Sequence, residues 1–221
     1  MPTRATILTF HGIGPIDRQL DPGEADVWVG HDQFLALLDR VAGRGDVQIT
    51  FDDGNASDLE LGLPALSARG LTATFFIVAG RLETPGFLNE SDVRTLRDAG
   101  MQIGSHGMHH RAWRGLDAPT LHEELVDAKA VLEGVVGGPV TSAGCPFGAY
   151  DRRVLGAARR AGFERVYTSD RGTARTDGFV QARNSIGPHD TADVMQQIAG
   201  LESSAPRLAA RRARQAVKRW R

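Results

Sequence analysis

A single cysteine, Cys145, stands in this chain of 221 residues, so no intrachain disulfide can form and the thiol content gives no sign of an oxidising compartment. Long hydrophobic runs are missing too: none approaches the roughly 20 apolar residues that a membrane-spanning helix needs. Met1-Pro2-Thr3-Arg4 leads straight into a short apolar strand, with no extended hydrophobic leader region, so a soluble, cytoplasmic protein is the expectation. No internal repeat is visible. Gly12-Ile13-Gly14 lacks the further glycine and lysine of a phosphate loop.

What is there is enough for one globular domain, since 41% of the residues are hydrophobic. The formal net charge of −1 conceals an asymmetry. Seven of the 26 Lys and Arg residues fall between Ala205 and Arg221, where there is no acid, which leaves 19 basic residues against 27 acidic ones in the body. The tail reads as a basic helix suited to weak contact with an anionic membrane surface or simply to solvation. No recognised nucleic-acid module accompanies the charge, so no nucleic-acid partner is expected.

Along the chain, apolar strand-like runs alternate with amphipathic helical patterns. Ala5–Phe10, Val47–Phe51, Thr72–Val78, Met101–Gly104, Val140–Ala143, Val166–Ser169 and Phe179–Ala182 read as strands. His31–Val41, Leu59–Arg69, Ser91–Ala99, Asp117–Val136, Asp151–Ala161 and Thr191–Leu201 read as helices, with Ser91 and Asp117 as caps. This alternation predicts an α/β fold, either a closed barrel or a doubly wound sheet.

The polar residues stand at the carboxyl ends of the strands: His11, Asp52 and Asp53, His106, Pro146 and Phe147, and Asp170. In a barrel those ends converge on one face, where active sites are built. Two adjacent carboxylates ending an apolar run do nothing for a core. His106 and His110, four apart, would project from one side of a helical turn toward a single ion, and a carboxylate would complete three protein ligands with positions left open. Zinc suits that donor mixture best, and other divalent transition metals accept it.

Thr50-Phe51-Asp52-Asp53-Gly54, the His106 to His110 pair in its Gly-Ser-His setting, and Cys145-Pro146-Phe147-Gly148-Ala149-Tyr150-Asp151 together resemble the polysaccharide deacetylase family, also called the NodB homology domain or carbohydrate esterase family 4. The match runs from about Ile7 to about Ile186. The resemblance implies a distorted (β/α)7 barrel in one domain over residues 1–204, with 205–221 as a basic tail. It implies a metal-dependent hydrolase that removes N-acetyl groups from aminosugar-containing glycans or glycoconjugates. Asp53, His106 and His110 would hold the divalent metal, Asp52 would be the general base toward a metal-activated water, and the Phe147 backbone N–H would face the oxyanion.

Three departures from the family pattern shape the rest. Cys145 stands where the third motif carries an arginine, leaving Arg183 as the candidate to orient Asp52. The family's Asp-Trp motif is reduced to Ser169-Asp170-Arg171-Gly172. The late Leu-x-His motif is not present, and His189 lies in a turn-like Gly187-Pro188-His189-Asp190, so His11 is the candidate general acid. Pro146, Trp113, Asp170 and Arg183 are the candidates for the substrate side of the pocket. Cys145, with no triad around it, reads as a buried filler. A deformylase or other amidohydrolase on a nucleotide- or lipid-linked sugar would use the same residues, and a non-catalytic carbohydrate-binding protein would have no need of Asp52.

Overall fold

The computed structural model describes residues 4–191, 193, 194, 209, 213 and 216–218. Strand β1 (Arg4–Phe10) and two short strands, β2 (Gly12–Ile13) and β3 (Trp28–Val29), precede helix α1 (His31–Val41). β4 (Val47–Asp53) leads through a π-helical turn (Asp58–Gly62) into α2 (Leu63–Ser67). β5 (Ala73–Ile77), α3 (Glu90–Asp98) and β6 (Gln102–Ser105) follow. One helical run then passes through α4 (Ala118–His122), a second π-helical stretch (Glu123–Asp127) and α5 (Ala128–Val136). β7 (Ser142–Gly144), α6 (Arg152–Arg160), β8 (Arg165–Thr168), β9 (Thr173–Arg175), β10 (Val180–Ala182) and β11 (Asn184–Ser185) complete the order.

The main sheet runs β10-β8-β7-β6-β5-β4-β1-β11, with β9 paired antiparallel to β1 and every other pairing parallel. Its two ends are two parts of one stretch. β10 lies on β8, β11 lies on β1, and only Arg183 separates them. The Arg183 N–H donates to the Thr168 carbonyl at 2.9 Å, and three residues later the Ile186 N–H donates to Thr9 at 2.9 Å. Changing partner at Arg183 all but closes the sheet, and with residues 180–185 counted as one strand it is the distorted seven-stranded parallel barrel of a single α/β domain.

Alternation along β4 separates the two sides of this sheet. Phe51 faces the helices, stacked on Phe75 at 4.5 Å and edge-on to Phe34 of α1 at 5.9 Å. Asp52 faces inward, with the Arg183 guanidinium bonded to it and lying 5.0 Å over the Phe76 ring. The larger core fills the layer between sheet and helices, while Ile7, Phe76, Tyr167 and Ala174 form a small cluster of their own.

Local chemistry moved several boundaries. Asn89, rather than Ser91, caps α3: its side chain accepts from the Asp92 N–H while Asp92 accepts from the Asn89 N–H, a reciprocal box that Ser91 cannot form from inside the helix. Asp117 caps α4 as expected, through the Thr120 N–H. Most of the expected helix over Thr191–Leu201 and most of the basic segment from Ala205 lie outside the described residues. Among the described residues no helix is long and apolar enough to cross a membrane.

Candidate active site

β4 ends on the two aspartates, and the backbone makes them unequal. Asp53 takes a left-handed conformation (φ 76°), as does Gly54, which stops the strand and removes Asp53 from its alternation. Both side chains are buried. Asp52 receives a two-pronged bond from Arg183, at 2.5 Å to Oδ1 and 2.7 Å to Oδ2. Among the described residues no guanidinium or ammonium pairs with Asp53: its Oδ1 is buried without a hydrogen-bond partner, 3.2 Å from His110 Nε2 and 3.6 Å from His106 Nε2.

The histidines reach Asp53 from a loop, not from the helical turn their spacing suggested. Left-handed Gly107 (φ 84°) and His110 (φ 54°) bend residues 106–110 after β6. Glu124 ties that loop down. Fully buried in the π-helical stretch, it accepts from the backbone N–H of Met108 at 3.1 Å, that of His109 at 3.0 Å and the Trp113 indole at 3.4 Å. A Cβ on Gly107 would come within 2.2 Å of Glu124 Oε2, so only glycine fits there. The sequence reading missed Glu124, yet a signal existed: it is an acid on the buried face of its helical run, beside Leu121, Leu125 and Ala128.

His106 Nδ1 lies 2.8 Å from the Gly144 carbonyl of β7, so Nδ1 carries the proton and Nε2 presents a lone pair to the aspartates. Burial lowers the His106 pKa to about 3 and also lowers that of His110, which keeps both imidazoles neutral. Burial would raise Asp52, but Arg183, with His106 and His11, outweighs it and holds this carboxyl well below the usual carboxylate range. At Asp53 burial prevails and pushes the pKa up to about 6. Asp53, His106 and His110 each offer one ligand atom, all within 4.8 Å of one another. An orphaned carboxylate oxygen facing two neutral imidazoles is a donor set that fits a divalent metal with open positions.

His11 stands on the other side of Asp52, its Nε2 3.8 Å from Oδ2, whereas His189 occupies an exposed turn. The third motif makes a tight turn after β7 in which Phe147, 66% exposed, is left-handed (φ 57°) and its ring lies 4.6 Å from that of His110. Cys145 is a buried filler, its thiol pKa pushed up by burial.

The residues expected to line the substrate side are mostly turned to other work. Trp113 has no exposed surface and packs against the metal-site loop, so it offers no face to a sugar. Arg183, 1% exposed, is spent on Asp52. Pro146 is buried. Asp170 is taken up by Tyr150, Thr168 and Lys218. The aromatic surface at the mouth belongs to Phe147, which the sequence singled out for its backbone alone.

Comparison with known proteins places this geometry. The polysaccharide deacetylase family model matches residues 39–166. YxkH of Bacillus subtilis, assigned by its name to the polysaccharide deacetylases, is 28% identical over 140 residues, covering 63% of this chain and 50% of the relative. The chain thus spans about half the length of that curated relative. The solved structure of the Streptococcus pyogenes deacetylase PplD aligns with a TM-score of 0.78 at 20% identity, over 90% of this chain and 99% of the other. A de-N-acetylase from Aggregatibacter actinomycetemcomitans aligns with a TM-score of 0.75 at 15% identity, over 88% and 99%. These two likenesses are of fold. By the match to the family model the chain belongs to the polysaccharide deacetylase family, whose members are hydrolases of carbon–nitrogen amide bonds.

Proposed function

We propose that this protein removes an N-acetyl group from an aminosugar-containing glycan or glycoconjugate, with a divalent metal, zinc by preference, held by Asp53, His106 and His110. Bound there, the metal would supply Lewis acidity to an amide carbonyl and to a water. Asp52 takes the proton of the attacking water. It is ionised at neutral pH because of Arg183, and because Arg183 also makes it a weak base, it readily passes the proton on. His11, whose Nε2 is 3.8 Å from Asp52 Oδ2, gives a proton to the departing amine. The Phe147 turn offers its backbone N–H to the oxygen on which charge develops.

The observation that carries this reading is the division of labour between neighbours: Asp52 has its counter-ion and Asp53 is orphaned beside two neutral imidazoles. The S. pyogenes relative was solved in complex with acetate, the acid that such a reaction releases. The test is acetate and formate release from N-acetylglucosamine oligomers, nucleotide-linked sugars and lipid-linked sugars, before and after chelation and zinc reloading. Acetate release that chelation stops and zinc restores is the expected result. Asp52→Asn should keep its zinc and lose turnover by roughly 10²–10⁴. Formate in place of acetate would transfer the site to a deformylase, and an undiminished Asp52→Asn would remove the base.

A further inference from the structure

Lys218 is 48 residues beyond Asp170 in the chain, yet its ammonium lies 2.7 Å from Asp170 Oδ1 and 3.3 Å from the Gly148 carbonyl. It also sits 5.3 Å over the Tyr150 ring. The other oxygen of Asp170 accepts from the Tyr150 hydroxyl at 2.7 Å and from Thr168 at 3.1 Å. The Asp170 side chain is 5% exposed and that of Lys218 34%, so this ion pair is sheltered at one end. Residues 148 and 150 belong to the third motif, and Asp170 follows β8. Lys218 therefore joins the Tyr150 hydroxyl in fastening the turn after β7 to the loop after β8.

That turn needs fastening. Phe147 and Gly148 are successive left-handed residues (φ 57° and 59°), a strained conformation for the non-glycine Phe147 that its surroundings must offset. Within the turn the Gly148 N–H donates to Cys145 and the Ala149 N–H to Pro146; its two flanks are held from further away, the Cys145 N–H by the Tyr167 carbonyl at 2.8 Å and the Ala149 carbonyl by the Arg114 N–H at 2.9 Å, while the Gly148 carbonyl between them accepts from Lys218. The Lys218 contact reaches it from a distant part of the chain, through a carbonyl of the motif.

We propose that Lys218 is a positioning residue for the third motif: it locks the Phe147–Gly148 turn against Asp170 and so holds the Phe147 backbone in the conformation that faces substrate. The role of that backbone rests on the deacetylase reading; the lock itself does not. One of the seven cations of the basic segment is thereby committed to the protein's own active-site rim.

The experiment compares the zinc-loaded full chain with Lys218→Met and Lys218→Arg by amide hydrogen exchange over residues 146–150, zinc content and steady-state acetate release. A hydrogen bond to a charged group is worth enough that Lys218→Met should speed exchange in the turn about 10-fold. Zinc content should not change, kcat should fall by a smaller factor, about 2- to 3-fold, with KM nearly constant, and Lys218→Arg should recover most of both. Unchanged exchange in Lys218→Met, or faster exchange with kcat unaltered, overturns the proposal. If the wild-type chain releases no acetate from any substrate, the deacetylase reading fails, and the exchange data still decide whether Lys218 locks the turn.

Discussion

The two ends of the barrel are both polar, and only one is built for chemistry. At the amino ends of the strands a cavity of about 360 Å³ is lined by Gln48, Thr74, Gln102, Arg165, Tyr167 and Gln181. Two of its lining groups have protein partners: the Thr74 hydroxyl donates to Gln102 at 3.3 Å, and the Gln181 amide donates to the Arg175 carbonyl at 2.8 Å. At the carboxyl ends, Asp53 Oδ1, His11 Nδ1 and both oxygens of Asp58 are buried without partners, and Asp53, His110 and Phe147 hold left-handed backbones. Volume and polarity are shared by the two ends. Among the described residues the unpartnered carboxylate oxygens and the strained Asp53, His110 and Phe147 backbones gather at the carboxyl ends, where a ligand would complete them.

Three changes should widen or close this contrast, beginning with the largest. Arg183→Met leaves Asp52 buried without its counter-ion and should destabilise the protein by about 3–5 kcal/mol at neutral pH while abolishing turnover. The Asp52 pKa is depressed in the folded state, so the pair's contribution is present above the ordinary carboxylate value of about 4 and lost as pH falls below it. The gap in urea midpoint between wild type and Arg183→Met should therefore narrow below pH about 4; a constant gap would show that Asp52 is not the group Arg183 serves.

Glu124→Gln touches none of the candidate metal ligands, yet it weakens two backbone bonds of the loop between His106 and His110 and a third to Trp113. Zinc affinity should fall about 10–100-fold, measured by competition with a chelator, with a smaller loss of stability. An unaltered affinity would mean that the loop is shaped by Gly107 and His110 alone. The smallest effect belongs to the opposite end. Gln102→Ala should cost about 1 kcal/mol in a denaturant titration and leave kcat/KM unchanged, and a large fall in rate would erase the distinction between the two ends.

How much of this was legible depended on the range of the interaction. Asp52, Asp53, His106 and His110 show themselves by sitting at strand ends, because a topology that sends every strand the same way collects those ends on one face. The i,i+4 spacing of the histidines was informative even though no helix carries it, since a loop turned by Gly107 brings the same two rings together. Trp113 was misjudged because a tryptophan that packs and one that stacks on sugar look alike in sequence, and only burial separates them. The π-helical register that aims Glu124 at the loop has no composition signature. The Lys218 contact was out of reach for another reason: nothing local distinguishes that lysine from its basic neighbours, and its partner is 48 residues away.

The change of partner at Arg183 has a consequence for assembly. The side chain that neutralises Asp52 is carried by the very residue at which the chain leaves one edge of the sheet for the other, 131 residues downstream of the aspartate it serves. A chain in which β1 to β8 have formed but residues 180–185 have not docked has Asp52 without Arg183 and, with it, a barrel still open at the seam. Closing the seam and supplying the counter-ion of Asp52 thus depend on one residue, so under the proposed function a barrel whose final strand has not found both neighbours would lack an ionised base.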